Sequence, residues 1–108
     1  MGIRVSREAR RYGGWVSFYD PIPYALILRW QDAFRASREM KTNHDRAEVL
    51  IPILLEAIEE WGIDGVPQKP TFETMPGSPI KDAQALIDWL WREFIHVFAG
   101  DLDPDPNA

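Results

Sequence analysis

The sequence predicts a small, mainly α-helical domain, with three helices, a short extended or β segment near the N-terminus and a proline-rich strap before the last helix. Three observations carry this prediction. Apolar residues recur every three or four positions in three separate segments, the pattern of helices with one buried face. The chain has 108 residues, the size of a single domain. Hydrophobic residues make up 45% of it, enough for a packed core.

The first segment with structure-forming character is residues 15–19, with the sequence WVSFY. β-branched and aromatic residues ended by Asp20 and Pro21 predict a short strand or an extended segment. A lone strand leaves its backbone groups unpaired, so this one needs a partner. That partner is either another chain or a short segment of this one.

The first helix is predicted to begin at the Asp-Pro-Ile-Pro sequence of residues 20–23 and to run to about Lys41. Asp20 can cap the helix, and proline is tolerated in a first turn because its missing N–H would have no partner there. The predicted apolar face consists of residues at three- and four-residue spacing: Tyr24, Ile27, Trp30 and Phe34.

The second helix is predicted from a capping box at Asp45 and Glu48 through to Trp61, with Gly62 as a left-handed stop. Pro52 lies inside this segment and removes one backbone hydrogen bond. We expect a kinked helix, because the apolar spacing continues in phase across the proline. The alternative is two short helices divided before it.

Residues 62–78 form the predicted strap, since they are rich in Pro and Gly and lack helical periodicity. Its apolar groups, Val66, Phe72 and Met75, are expected to lie over the helices. Ser78 and Pro79 predict the start of a third helix that runs to Ala99 and ends at Gly100. Its apolar positions are more than one buried face needs: Ile80, Ala83, Leu86, Ile87, Trp89, Leu90, Trp91, Phe94, Ile95, Val97 and Phe98.

Charge divides the chain unequally. Residues 1–46 carry nine Lys or Arg against five Asp or Glu, whereas residues 47–108 carry three against twelve, for a net charge of −5. We describe one domain made of a basic arm (1–13), a helical body (14–100) and an acidic tail (101–108). The arm can fold back on its own body or bind an acidic partner, including a second copy.

The composition argues against an enzyme and predicts no cofactor and no metal. The chain has no Cys and only two His, which excludes thiolate chemistry and leaves little for an imidazole metal cluster. No phosphate-binding glycine loop or metalloprotease helix motif is present. No apolar stretch approaches the roughly 20 residues of a membrane span. We therefore expect a soluble, intracellular protein that works by contact.

The candidate partner-binding residues are aromatic, aliphatic and basic. Trp89 and Trp91 lie about 200° apart around a helix, so both cannot face the same core, and Trp is enriched at interface hot spots. The arm beginning at Arg4 holds the basic cluster, although nucleic-acid binding is disfavoured by the acidic net charge. The full set is Trp89, Trp91, Ile95, Trp15, Phe18, Arg7, Arg10 and Arg11.

Several short segments resemble a known family. Residues 15–21 (WVSFYDP) resemble the W-V-x-[LF]-x-D-P opening of small proteins from tailed-phage and prophage tail modules. Residues 60–67 (EWGIDGVP) look like a second segment of those proteins. Met75-Pro76 stands where they have Leu-Pro, and residues 105–107 are similar to their Pro-Asn ending. These proteins are the tail assembly chaperones of long-tailed phages.

The resemblance implies a non-enzymatic protein of the host-cell cytoplasm. It would coat the helical tape measure protein while tail tube subunits assemble around it. Independently of the resemblance, the excess apolar surface of the last helix and the opposite charges of the two ends of the chain suit it to self-association. One alternative is a small structural tail adaptor or completion protein that stays in the virion. Another is a small DNA-binding regulator that uses the basic arm.

Overall fold

The computed structural model describes residues 3–4 and 12–102, with side chains for residue 4 and residues 12–98. Along these residues the order is β1 (Ile3–Arg4), β2 (Gly14–Phe18), α1 (Tyr24–Ser37), α2 (Asn43–Glu56), β3 (Ile58–Ile63) and α3 (Ile80–Leu102). The predicted fold class is confirmed: a small, mainly α domain with a short β segment near the N-terminus and a strap before the last helix.

β2 finds its partners inside this chain. The described strands form one antiparallel sheet in the order β1-β2-β3. Trp15 lies opposite Gly62 and Val16 opposite Trp61, with an irregularity between Ser17 and Phe18. The sequence left open whether β2 pairs with another chain or with a segment of this one. In the structure it pairs within this chain, with β1 and β3.

The prediction that the second helix extends to Trp61 is wrong. α2 ends at Glu56, and the next residues form β3 instead. Two glycines make this pairing possible: Gly14 has a φ of 125°, and a Cβ there would overlap the Gly62 carbonyl. A Cβ on Gly62 would lie 2.5 Å from the Trp15 indole nitrogen. Gly62 is therefore a point of close approach within the sheet and not a left-handed helix stop.

The starts of the first two helices also differ from the prediction. α1 has Pro23 at its N-cap with no side-chain hydrogen bond, so Asp20 does not cap it. α2 is capped by Thr42, whose hydroxyl accepts a hydrogen bond from the backbone N–H of Asp45 at 3.1 Å. The predicted capping box is thus displaced, because the helix begins a turn before Asp45.

α1 and α3 also end at residues other than those predicted, and α2 is not interrupted. α1 stops at Ser37, four residues before the predicted end, and the Ser37 hydroxyl donates to the Phe34 carbonyl at 2.7 Å. α2 continues through Pro52 as one helix, which rejects the two-helix alternative. α3 passes Gly100 and reaches Leu102, so that glycine does not end the helix.

The core lies where the three helices meet the inner face of the sheet. α3 contributes more buried residues than any other element, and the Phe94 ring lies 6.2 Å from that of Phe18 and 5.1 Å from that of Trp30. The largest fully buried side chains are Trp89, Phe94, Leu54, Ile58, Leu86, Leu90 and Val16. Within this core the described aromatic rings pack at tilted or edge-on angles, which is the favourable arrangement for their quadrupoles.

The strap is ordered and is held at two points. The Trp61 indole N–H donates to the Val66 carbonyl at 2.7 Å, and the Lys69 ammonium donates to the Ile58 carbonyl at 2.8 Å. Val66, Phe72 and Met75 are half-buried against the core, as predicted. The strap therefore covers the outer side of β3 and the adjoining helices.

Candidate partner-binding surface

The buried face of α1 is rotated from the one that the spacing predicts. Leu26 and Trp30 enter the core, whereas Tyr24 is 74% exposed and Phe34 is 42% exposed. Leu28 is also 43% exposed. The predicted face of Tyr24, Ile27, Trp30 and Phe34 is therefore wrong at both ends, because the buried face of α1 is centred on Leu26 and Trp30.

A stripe of exposed residues runs along the solvent side of α1. We call it the outer stripe; its members follow a spacing of three or four residues, which places them on one side of the helix: Tyr24, Leu28, Gln31, Arg35 and Arg38. The exposed Phe34 and Asp32 border the stripe on opposite sides. The stripe spans about 21 Å at 1.5 Å per residue. No Asp or Glu occupies any of its positions.

Trp89 and Trp91 have different environments, as their angular separation required. Trp89 is 2% exposed and belongs to the core. Trp91 is half-buried at the surface of α3. The burial of Trp89 corrects its selection as a partner-binding residue, because it cannot touch a partner without unfolding of the core.

Aromatic rings connect the exposed side of α1 to α3. The Trp30 ring lies 5.4 Å from that of Phe34 and 5.2 Å from that of Trp91. Ile95 follows Trp91 by about one turn and is 42% exposed. Phe34 and Trp91 therefore flank the same buried indole, and apolar surface continues from one helix to the other. We call the exposed or half-buried apolar side chains of these two helices the α1–α3 patch: Phe34, Trp91 and Ile95 surround this junction, and Tyr24 and Leu28 are exposed further along α1.

The patch has a basic end. The Arg38 guanidinium lies 5.0 Å from the centre of the Phe34 ring, within the range of a cation–π contact. Arg35 is exposed beside it in the last turn of α1. On another side of this helix Arg29 forms an ion pair with Glu56 at 2.7 Å, and both side chains are about half exposed. Such an exposed pair contributes little to stability.

The other predicted site residues do not join the patch. Phe18 is buried in the core, so its selection for partner contact is corrected for the same reason as that of Trp89. Trp15 is half-buried, and its ring lies over Gly62 of the sheet. The remaining candidates, Arg7, Arg10 and Arg11, lie outside the described residues, as do residues 103–108 of the predicted acidic tail.

A groove of about 360 Å³ lies between α2 and α3 and ends at Trp91. Ala47, Leu50 and Ile87 supply apolar lining, while Asn43 and Gln84 supply polar groups. Trp91 therefore has Trp30 in contact with its ring and also borders this groove. The groove extends the accessible apolar surface beyond the patch.

The titratable side chains of the described residues are dispersed. His44 lies 3.2 Å from Glu48, one turn along α2, and both side chains are largely exposed. Glu59 and Glu60, which fall within the predicted second helix, are exposed on β3. Among the described residues no group of three or more acidic or His side chains could hold a metal ion. Within the same part of the chain, no helix has both the length and the apolar character needed to cross a bilayer.

Comparisons with protein-family models, curated proteins and solved structures give no match for this chain. The case for a function therefore depends on the surface itself and on the resemblance of the short segments. Those segments lie mostly apart from the patch: residues 15–21 include β2, and residues 60–67 include the end of β3.

Sequence reasoning missed Tyr24 and Leu28 as exposed candidates. The signal was present in residues 24–28 (YALIL), an uninterrupted apolar run. Five consecutive apolar residues extend around more than one full turn of a helix, so they cannot all face one core. Such a run marks a helix with apolar groups left over for solvent or for a partner.

Proposed function

We propose that this protein is a non-enzymatic tail assembly chaperone that binds the helical tape measure protein of a long-tailed phage. One observation carries the proposal: the α1–α3 patch presents five apolar side chains to solvent on two adjacent helices. The resemblance of residues 15–21 and 60–67 to the chaperone family supports the same function.

The patch has the chemistry of a surface that receives a helix. Single exposed apolar residues are normal on a protein surface, but five on two helices, some of them joined through the Trp30 ring, mark an interaction site. Helix-in-groove binding uses anchors spaced three, four and seven residues apart on the bound helix. The 21 Å length of the outer stripe, about 14 residues at 1.5 Å each, fits four turns of such a partner.

The proposed chaperone acts in the host-cell cytoplasm, where the tape measure protein is made before the tail tube surrounds it. Burial of apolar helix faces on the patch keeps that protein soluble, because exposed apolar surface would otherwise drive it to aggregate. Tail tube subunits then displace the chaperone. Several copies are needed along an extended client, which agrees with the expected self-association.

The test is co-expression with a candidate tape measure protein, chosen as a long helical product of a neighbouring gene, followed by centrifugation of the lysate. The wild-type chain should keep the tape measure protein in the supernatant and co-purify with it. Replacing Leu28 and Ile95 by Ser should weaken the complex about tenfold or more, since loss of anchors at an interface costs about 1–2 kcal/mol each. The matched control is Ile80→Ser, which alters an aliphatic residue of α3 that is 78% exposed and outside the patch.

An insoluble tape measure protein in the presence of the wild-type chain contradicts the proposal. So does equal loss of binding in the Ile80→Ser control. Purified virions provide a second measurement: a chaperone is absent from them. Stoichiometric amounts of the chain in particles would instead identify a structural tail adaptor or completion protein.

A further inference from the structure

We infer that the outer stripe of α1 selects an amphipathic helix whose apolar face is flanked by carboxylates at one end. This inference deepens the proposed function by stating the chemistry of the bound helix, and it rests on that function for the identity of the protein that supplies it. The observation behind it is the uneven distribution of side chains along the outer stripe of α1.

The outer stripe has an apolar half and a basic half. Tyr24 and Leu28 occupy its N-terminal part, and Arg35 and Arg38 occupy its C-terminal part. The stripe itself holds no carboxylate, and the exposed Asp32 lies at its border, three residues before Arg35. A helix lying along it therefore meets apolar surface first and two positive charges about 16 to 21 Å further on.

The two arginines are available for a partner. Among the described residues neither Arg35 nor Arg38 takes part in an ion pair, whereas Arg29 of the same helix is paired with Glu56. The Phe34 ring holds the Arg38 guanidinium beside the apolar surface. A guanidinium positioned in this way can bind a carboxylate through two parallel hydrogen bonds.

Cations in the last turn of a helix also stabilise it by interacting with the helix dipole, an effect of about 0.3–1 kcal/mol. That role requires no partner and makes no distinction between acidic and basic ligands. Selection of an acidic helix by this chain does require local recognition, because the net charge of −5 opposes the approach of any anion. At physiological ionic strength charges are screened beyond about 8 Å, so the groups next to the ligand decide its preference.

The experiment uses two synthetic helical peptides of about 18 residues, long enough to cover the stripe. Both carry the same face of Leu and Ile; one has Glu at the flanking positions of its last two turns, and the other has Lys there. Fluorescence anisotropy of the labelled peptides with the full chain should show the Glu peptide binding about tenfold tighter, equivalent to about 1.4 kcal/mol. The preference should shrink as salt is raised.

Two variants test the source of that preference. Replacing Arg35 and Arg38 by Glu should reverse it, and replacing both by Gln should abolish it while the apolar contribution remains. Lys81→Glu is the matched control, because it reverses an exposed charge on the first turn of α3, on a different helix. Circular dichroism of each variant verifies that α1 is still folded.

Equal or tighter binding of the Lys peptide by the wild-type chain overturns the inference, as does an unchanged preference in the Arg-to-Glu variant. This outcome is separable from failure of the proposed function. A tape measure protein that is held in solution equally well by the Arg-to-Glu variant refutes the charge preference alone. A chain that prefers the Glu peptide but leaves the tape measure protein insoluble refutes the chaperone function alone.

Discussion

Neighbouring residues of α3 differ sharply in how much of the side chain is exposed to solvent. Leu90 is fully buried, and Trp91 beside it is half-buried at the edge of the α1–α3 patch. Phe94 contacts four other aromatic rings, whereas Ile95 is 42% exposed. Leu90 and Phe94 therefore stabilise the core, whereas their neighbours Trp91 and Ile95 belong to the surface that is proposed to contact a partner.

Substitutions at two of these positions should have opposite consequences. Leu90→Ala should lower the free energy of unfolding by about 2–5 kcal/mol, because it removes buried methyl groups and leaves a cavity. Ile95→Ala should change it by less than about 1 kcal/mol, since the side chain is already partly hydrated. Urea denaturation followed by circular dichroism measures both, and a similar loss for the two variants would contradict the described burial.

Phe34 illustrates why residue roles escape a one-dimensional pattern. Its position is in phase with Trp30, so the spacing predicts that both lie in the core. In the structure the Phe34 ring contacts Trp30 on one side and Arg38 on the other, and remains 42% exposed. Phe34 therefore packs against the core on one side and leaves part of its ring exposed on the other.

Among the elements, β3 differs most from the sequence-based prediction, which extends the second helix through Ile58 to Trp61. Ile58 and Trp61 continue the helical spacing of α2, so local pattern favours a helix through them. β2 overrides that preference, because its backbone groups need a partner and only a nearby extended segment can supply one. The pairing brings Trp15 over Gly62 and lets Trp61 donate to Val66 at the start of the strap.

The close approach at Gly62 makes a specific prediction. Gly62→Ala should destabilise the domain by about 1–3 kcal/mol, because the added methyl group would overlap the Trp15 ring and force the sheet apart. Gly77→Ala is the matched control: nothing lies within 4 Å of the position of its Cβ, so it should be neutral or slightly stabilising. Thermal denaturation compares the two. Equal melting temperatures would show that the contact between β2 and β3 is not this tight.

For the whole molecule, we expect the uneven charge distribution along the chain to favour association between copies. A basic front and an acidic rear are complementary, and head-to-tail contacts between them produce rings or filaments. Such assemblies would suit a protein that coats an extended helical client. The patch lies on the basic side of this division through α1 and on the acidic side through α3.

Analytical ultracentrifugation at low and high salt tests this association. We expect oligomers at low ionic strength that dissociate as salt screens the charges. Replacing Arg35 and Arg38 by Glu should weaken the association because it reduces the positive charge of the front half. Lys81→Glu makes the rear half more acidic and should preserve it. A monomer at every concentration and salt level would contradict charge-driven assembly.

The sequence by itself determined the fold class, the three helices, the strap and the presence of more apolar surface than one core can bury. These follow from local rules: helical spacing, proline and glycine positions and the angle between Trp89 and Trp91. Tertiary structure alone decided that residues 58–63 pair with β2, that α1 turns Tyr24, Leu28 and Phe34 outward, and that Trp91 and not Trp89 reaches the surface. The reason is that spacing shows which residues share a face, while the neighbouring elements decide which face is covered.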